Sequence, residues 1–169
     1  MRQTLLESLI HGPLTEAPPT ADDAALAELA KSLERNARRR LGRSLSIREV
    51  DAGSCNGCEL EIHALNNAFY DLERFGLHFV ASPRHADVLL VTGPVTKNMR
   101  EALERTYRAT PDPKWVVALG DCALDGGIFA GSYAVAGGVS DVVPVDLHIR
   151  GCPPSPTAIL KGLIALLET

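Results

Sequence analysis

LSIREVDAGSCNGCELEIH, residues 45–63, is the stretch that decides the fold. It opens with a short β-rich run, Leu45–Asp51, passes through a loop of glycines and cysteines, and turns helical at Glu59. The same alternation continues down the chain. Strands are expected at Leu77–Ala81, Asp87–Thr92, Lys114–Leu119 and Asp141–Leu147. Helices are expected at Glu59–Arg74, Lys97–Thr106 and Ser155–Leu167. Ile62, Leu65, Phe69 and Leu72 would form the buried stripe of the first helix. Short β-rich runs alternating with helices specify an α/β fold, a doubly wound parallel sheet with helices on both faces.

Upstream of this stretch the character differs. Residues 1–20 read as a weakly structured lead ending in TEAPPT, within which a helical Thr4–His11 would place Leu5, Leu6, Leu9 and Ile10 on one face. Ala21–Leu41 is helical in pattern: Thr20 or Asp22 can cap it, and Leu26, Leu29, Leu33, Ala37 and Leu41 recur at helical spacing before Gly42 ends it. Arg35, Arg38, Arg39, Arg40 and Arg43 crowd its end. They are either solvated cations favoured by a helix C-terminus or a patch for anionic lipid or an acidic partner.

The chain has 169 residues, enough for one domain with a genuine core. Apolar residues are 46% and charged residues 22%, and the net charge of −4 gives no reason to expect a nucleic-acid partner. No apolar run approaches the ~20 residues that span a bilayer. The N-terminal MRQTLLESLIHG lacks signal-peptide anatomy, so a cytoplasmic setting is expected. There thiols stay reduced, and four cysteines read as ligands or catalysts rather than staples.

Each cysteine falls just after an expected strand. Cys55 and Cys58 follow the first, Cys122 follows KWVVALG, and Cys152 lies in HIRGCPPSP. In open α/β sheets the carboxyl ends of the strands form the ligand-binding edge, so the four thiols should meet on one rim. Helix N-termini there are expected to lower thiol pKa towards the metal-binding thiolate. Gly53, Gly57, Gly120 and Gly151 flank the cysteines and would let backbone N–H groups approach sulfur. Four readings stay open at this point: a [4Fe–4S] cluster, a structural Cys₄ zinc site, a redox dithiol at Cys55/Cys58, or inert buried thiols.

Several motifs together resemble one family. GSCNGCELEI, ERFG, SPRHADVLLVTGPVT, PDPKWVVALGDCALDGGIF and VVPVDLHIRGCPPSPTAILKGL are similar to the proximal-cluster subunit shared by respiratory complex I and membrane-bound [NiFe] hydrogenases. The likeness runs from about Ile47 to Leu167. It implies a flavodoxin-like domain over 45–169 that holds one [4Fe–4S] cluster on Cys55, Cys58, Cys122 and Cys152, with residues 1–44 as an N-terminal helical extension for an interface or a membrane surface. Complex I members carry adjacent cysteines at the first motif, whereas CNGC and DGGIF look hydrogenase-like, of the formate hydrogenlyase kind.

The resemblance implies an electron-transfer role beside a large subunit that holds nickel–iron. A ferredoxin-like Fe–S subunit and membrane-arm subunits would complete the complex, with this chain peripheral on the cytoplasmic side of the membrane. The alternatives are a quinone-facing relay, or a related complex without nickel, and, from another class, a zinc-stapled or cluster-free flavodoxin-like binding module. Glu59 reads as a proton-relay or charge site beside the cluster, or as an acid that a helix N-terminus merely favours; His63 shares its helix face. Arg84 would face the partner or cluster, or form a salt bridge. Asp121 and Asp125 would lower the cluster potential, while His148 and Arg150 would raise it.

Overall fold

The computed structural model describes residues 23–168. The Thr4–His11 helix and the caps Thr20 and Asp22 lie outside them. In chain order the elements are α1 (Asp23–Leu41), β1 (Leu45–Asp51), α2 (Gly57–Leu65), β2 (Leu77–Phe79), β3 (Val88–Thr92) and β4 (Val95–Thr96). They continue with α3 (Lys97–Ala109), β5 (Trp115–Leu119), α4 (Asp121–Asp125), β6 (Val135–Gly137), β7 (Leu147–Ile149) and α5 (Pro156–Glu168).

Among the described residues the main sheet has five strands in the order β2-β1-β3-β5-β7, all parallel. Counting only those strands, this is the flavodoxin order 2-1-3-4-5. Side chains alternate between two cores, as a strand's period of two requires. Leu45, Ile47, Val88, Leu90, Val117 and Leu119 pack under α1, α2 and α5. Val50, Leu89, Val91, Val116 and Ala118 pack with Leu103 of α3 and with Val139. Strand β3 is buried throughout, the mark of a central parallel strand covered on both faces.

Helix α1 is seated on this domain. Ala37 is in the core, Leu29 and Leu41 pack against it, and Asn36 Nδ2 donates to Glu168 Oε1 of α5 at 3.2 Å. Gly42 closes the helix in the left-handed region, its N–H donating to Arg38 O at 3.0 Å. Three of the arginines near its end are paired: Arg35 with Glu28, Arg38 with Glu34, and Arg43 with Asp87. Asp87 is buried at the amino end of β3, where it accepts two bonds from Arg43 and one from Ser46 N at 3.0 Å.

Two expected elements end elsewhere. The helix expected over Glu59–Arg74 stops at Leu65, because Asn67 Oδ1 captures the N–H groups of Phe69 and Tyr70 at 2.9 and 3.0 Å. Phe69 is therefore half exposed rather than part of the buried stripe, while Ile62, Leu65 and Leu72 are buried. The strand expected over Asp141–Leu147 forms instead at Leu147–Ile149. Asp141 Oδ2 accepts from Gly138 N in a 3₁₀ turn, and Pro144 has no N–H to give a ladder. A small antiparallel pair, β4 with β6, was not expected. No described helix is long and apolar enough to cross a membrane.

Candidate metal centre

Three loops leave the carboxyl ends of β1, β5 and β7 and carry the four cysteines to one edge. On the first loop Asp51 Oδ1 accepts from Gly53 N and Ser54 N, both at 2.7 Å, and Ser54 Oγ accepts from Asn56 N at 3.1 Å. Asn56 takes φ 70°, a left-handed conformation asparagine tolerates, and so turns the chain between Cys55 and Cys58 into α2. Cys122 lies in the first turn of α4, and Cys152 stands three residues beyond β7.

All four cysteines line one cavity of about 130 Å³, with Ser54, Gly93, Asp121 and Pro153 among its walls. Pockets for drug-sized organic ligands hold roughly 300–1,000 Å³, so this space suits a compact inorganic group rather than a flavin or nucleotide. Cys55 and Cys152 are exposed at its mouth, Cys58 and Cys122 half-buried, and all four are free thiols. Two glycines press backbone against sulfur. A Cβ on Gly120 would sit 2.8 Å from Cys58 Sγ, and one on Gly127 2.8 Å from Cys122 Sγ. Both have positive φ, 91° and 52°, so a side chain is unwelcome on two counts. Among the described residues no three His, Cys, Asp or Glu side chains come together closely enough to share one metal ion. The four cysteines instead stand in the walls of the cavity.

The expected lowering of thiol pKa is overturned where a shift is resolved. Burial pushes the Cys58 thiol up to about 12, and Glu59 and the other three cysteines add to the rise. Burial also raises Cys122, with Cys152 and Cys55 next, against a hydrogen bond from the Ile128 backbone that favours its thiolate. Desolvation and mutual repulsion outweigh any help from the helix starts. Four thiolates here would need positive charge among them, which a bound metal group would supply, since coordination deprotonates a thiol outright.

Glu59 lies next to Cys58 in α2, is 6% exposed, and among the described residues has no hydrogen-bond partner for either carboxyl oxygen. It is not the solvated helix-start acid that its position would allow. Glu49 on β1 is raised by burial first and then by the Glu59 charge, while His63 and Arg48 oppose the rise. His63 itself is exposed. Asp121 and Asp125 are engaged with backbone, accepting from Gly151 N at 3.0 Å and Gly127 N at 2.8 Å. Arg84 is exposed on the turn that feeds the amino end of β3, whereas the cysteines lie at carboxyl ends. Arg150 is exposed, and His148 Nδ1 is buried without a partner among the described residues. Asp51, Ser54 and Gly93 were missed as parts of the site. An Asp at a strand end followed by a Gly-containing loop was the available signal for the first.

Large apolar side chains stand exposed on the segments that carry these cysteines. Leu60 follows Cys58 by two residues and is 62% exposed, and Ile128 and Tyr133, on the segment after α4, are 84% and 89% exposed.

A family model described as NADH ubiquinone oxidoreductase, 20 Kd subunit, matches residues 55–166. Formate hydrogenlyase subunit 7 of Escherichia coli is 45% identical over 153 residues, covering 89% of this chain and 58% of that protein. The chain thus spans a little over half the length of that relative. The probable membrane-bound hydrogenase subunit mbhJ of Pyrococcus furiosus is 48% identical over 128 residues, 76% of this chain and 77% of that protein. Among solved structures, a chain of the membrane-bound sulfane sulfur reductase, an archaeal respiratory membrane complex, is 39% identical and superposes with a TM-score of 0.67. It covers 80% of this chain and 74% of that one.

Proposed function

The chain belongs to the NADH ubiquinone oxidoreductase 20 kDa subunit family, and from that membership we propose that it is the electron-transfer subunit of a membrane-associated hydrogenase. It holds one [4Fe–4S] cluster on Cys55, Cys58, Cys122 and Cys152 and relays electrons to or from the [NiFe] site of a large partner subunit. One observation carries this reading: four thiols from three separate loops line a single compact cavity at the carboxyl edge of the sheet. An all-cysteine set suits iron–sulfur clusters and zinc alike. Zinc would need four sulfurs each about 2.3 Å from one centre, whereas a multi-iron body is held at its corners by sulfurs standing around a space.

When bound, such a cluster supplies one-electron transfer. The chain's own residues hold it and tune it. Gly120 and Gly127 bring backbone against two of the sulfurs, and the Ile128 backbone donates to Cys122. Half-burial of Cys58 and Cys122 limits water on that side. Glu59 places a buried carboxyl group beside Cys58, and we assign it as the charge or proton-relay group of the site.

The catalytic metal lies in the partner. Leu60, Ile128 and Tyr133, exposed on the cysteine-bearing segments, are the side chains we assign to contact with that large subunit. A ferredoxin-like Fe–S subunit serves as donor, and membrane-arm subunits anchor the complex at the cytoplasmic side of the membrane. Residues 1–44 are the extension we assign to contact with that arm or with lipid, and 45–169 the cluster domain.

A second reading is a related complex without nickel, or one facing a quinone; the support for it is that a 39% identical chain belongs to a respiratory membrane complex named as a sulfane sulfur reductase and not as a hydrogenase. Sequencing the co-purifying large subunit separates the two. Two Cys-x-x-Cys pairs, one near each end, support nickel–iron, and their absence defeats the hydrogenase reading while leaving the cluster intact. Anaerobic purification with iron, acid-labile sulfide and zinc analysis tests the cluster itself. One zinc without sulfide would defeat both relay readings and leave the zinc-stapled module.

A further inference from the structure

The β5–β7 ladder ends at the pair Leu119 and Ile149, yet hydrogen bonding between the two segments continues beyond it. Gly120 N donates to Ile149 O at 2.7 Å, and Asp121 N donates to Gly151 O at 2.9 Å. The return bond comes from a side chain: Gly151 N donates to Asp121 Oδ1 at 3.0 Å. Asp121 and Gly151 are thereby joined in a closed two-bond ring. Asp121 immediately precedes Cys122, and Gly151 immediately precedes Cys152. The ring thus lies one residue from each of two sulfur-bearing residues, beyond the point where the strands have ended.

We propose that Asp121 is a positioning residue that latches the Cys122 loop to the Cys152 loop and thereby sets the spacing of those two sulfurs. It acts by accepting a hydrogen bond. Its charge is secondary, which separates this role from the potential-lowering one expected for an acid beside Cys122. A ring of two opposed bonds fixes both separation and orientation, whereas the backbone bond alone leaves the loops free to twist about it. The first cysteine loop has a local counterpart in Asp51, which binds Gly53 N and Ser54 N, but that bond closes within one loop. Cys58 Sγ also reaches across to Leu119 O at 3.8 Å, but that bond ends on β5 itself, whereas the Asp121 bond joins two cysteine-bearing loops beyond their strands. The inference rests on the four-thiolate reading above.

The test uses the full chain in its native complex, purified anaerobically as wild type, Asp121→Ala, Asp121→Asn and, as a control, Cys122→Ala. Two quantities are read: the rate of iron loss to a chelator, and the EPR signature of the reduced cluster. Losing one hydrogen bond to a charged acceptor corresponds to about tenfold or more, so Asp121→Ala should release iron at least that much faster and show altered g-values. Asp121→Asn keeps an oxygen acceptor, though a neutral one, and should stay within about fivefold of wild type in rate, well short of Asp121→Ala, with an unaltered spectrum.

Wild-type behaviour of Asp121→Ala overturns the latch. So does an Asp121→Asn variant as impaired as Asp121→Ala, since charge would then be the property that matters. If Asp121→Ala does not assemble with its partners, Asp121→Ser against Asp121→Asn carries the test. The shorter serine cannot span the gap and should lose iron faster than Asn; equal rates overturn the latch. Cys122→Ala with undiminished iron and sulfide would instead defeat the four-thiolate reading.

Discussion

Asp87 and Glu59 are buried to nearly the same depth, 4% and 6% exposed, at opposite edges of the sheet. Asp87, at the amino end of β3, receives three hydrogen bonds, two from Arg43 and one from Ser46 N. Glu59, next to Cys58 of the cysteine cavity, receives none among the described residues. A buried acid with every partner supplied is architecture: it ties the end of α1 to two strands. A buried acid without partners is costly on its own and points to something that completes the site. The acid at the amino edge is satisfied within this chain, and the one at the carboxyl edge is left open, as the proposed cluster site would require.

Substitutions can break that comparison. The largest effect should come from Cys122→Ala, with loss of iron, sulfide and electron transfer while the complex still assembles. Retained iron and sulfide would show that the carboxyl edge is not a four-thiolate site. Gly120→Ala comes next. Its Cβ would overlap Cys58 Sγ in a backbone conformation that disfavours side chains, so cluster content should fall sharply and stability by about 1–3 kcal/mol. An unchanged iron-to-protein ratio would mean that the backbone does not press on that sulfur.

At the other edge, Asp87→Ala should cost about 3 kcal/mol, measured by denaturant unfolding, and leave the spectrum of any assembled cluster unchanged. A spectral change would show that the two edges are not separate in function. The smallest effect is expected of Glu59→Gln. Stability should hold within about 1 kcal/mol, because no partner is lost. If the carboxyl is ionised beside a cluster, the substitution removes a negative charge and the midpoint potential should rise by on the order of tens of millivolts; an unchanged potential would mean that the carboxyl carries no charge there. A cost matching that of Asp87→Ala would erase the distinction between the two acids.

Much of this was legible in the residues. The strand Leu45–Asp51 was placed to the residue, and β3 and β5 to within one, because buried parallel strands are short, apolar and bounded by turn residues. Errors fell where a single polar side chain redirects the backbone. Asn67 ends the first helix early and leaves Phe69 half exposed, and Asp141 with Pro144 displaces the last strand towards Cys152. Apolar periodicity is blind to such local captures. The four cysteines were identifiable from motif and strand-end position, since that position follows from topology alone.

What the sequence determined by itself is therefore the alternation of elements, the edge on which the thiols meet and the family likeness. All three are properties of order along the chain. What only the tertiary structure decided are relations between residues distant in sequence. It showed that Arg43 belongs to Asp87, that Asp121 binds the loop thirty residues away, that burial raises rather than lowers two thiols, and that Glu59 is sealed in without a partner. Hydrogen bonding and desolvation depend on which groups meet in space, and no periodicity along a chain encodes that directly.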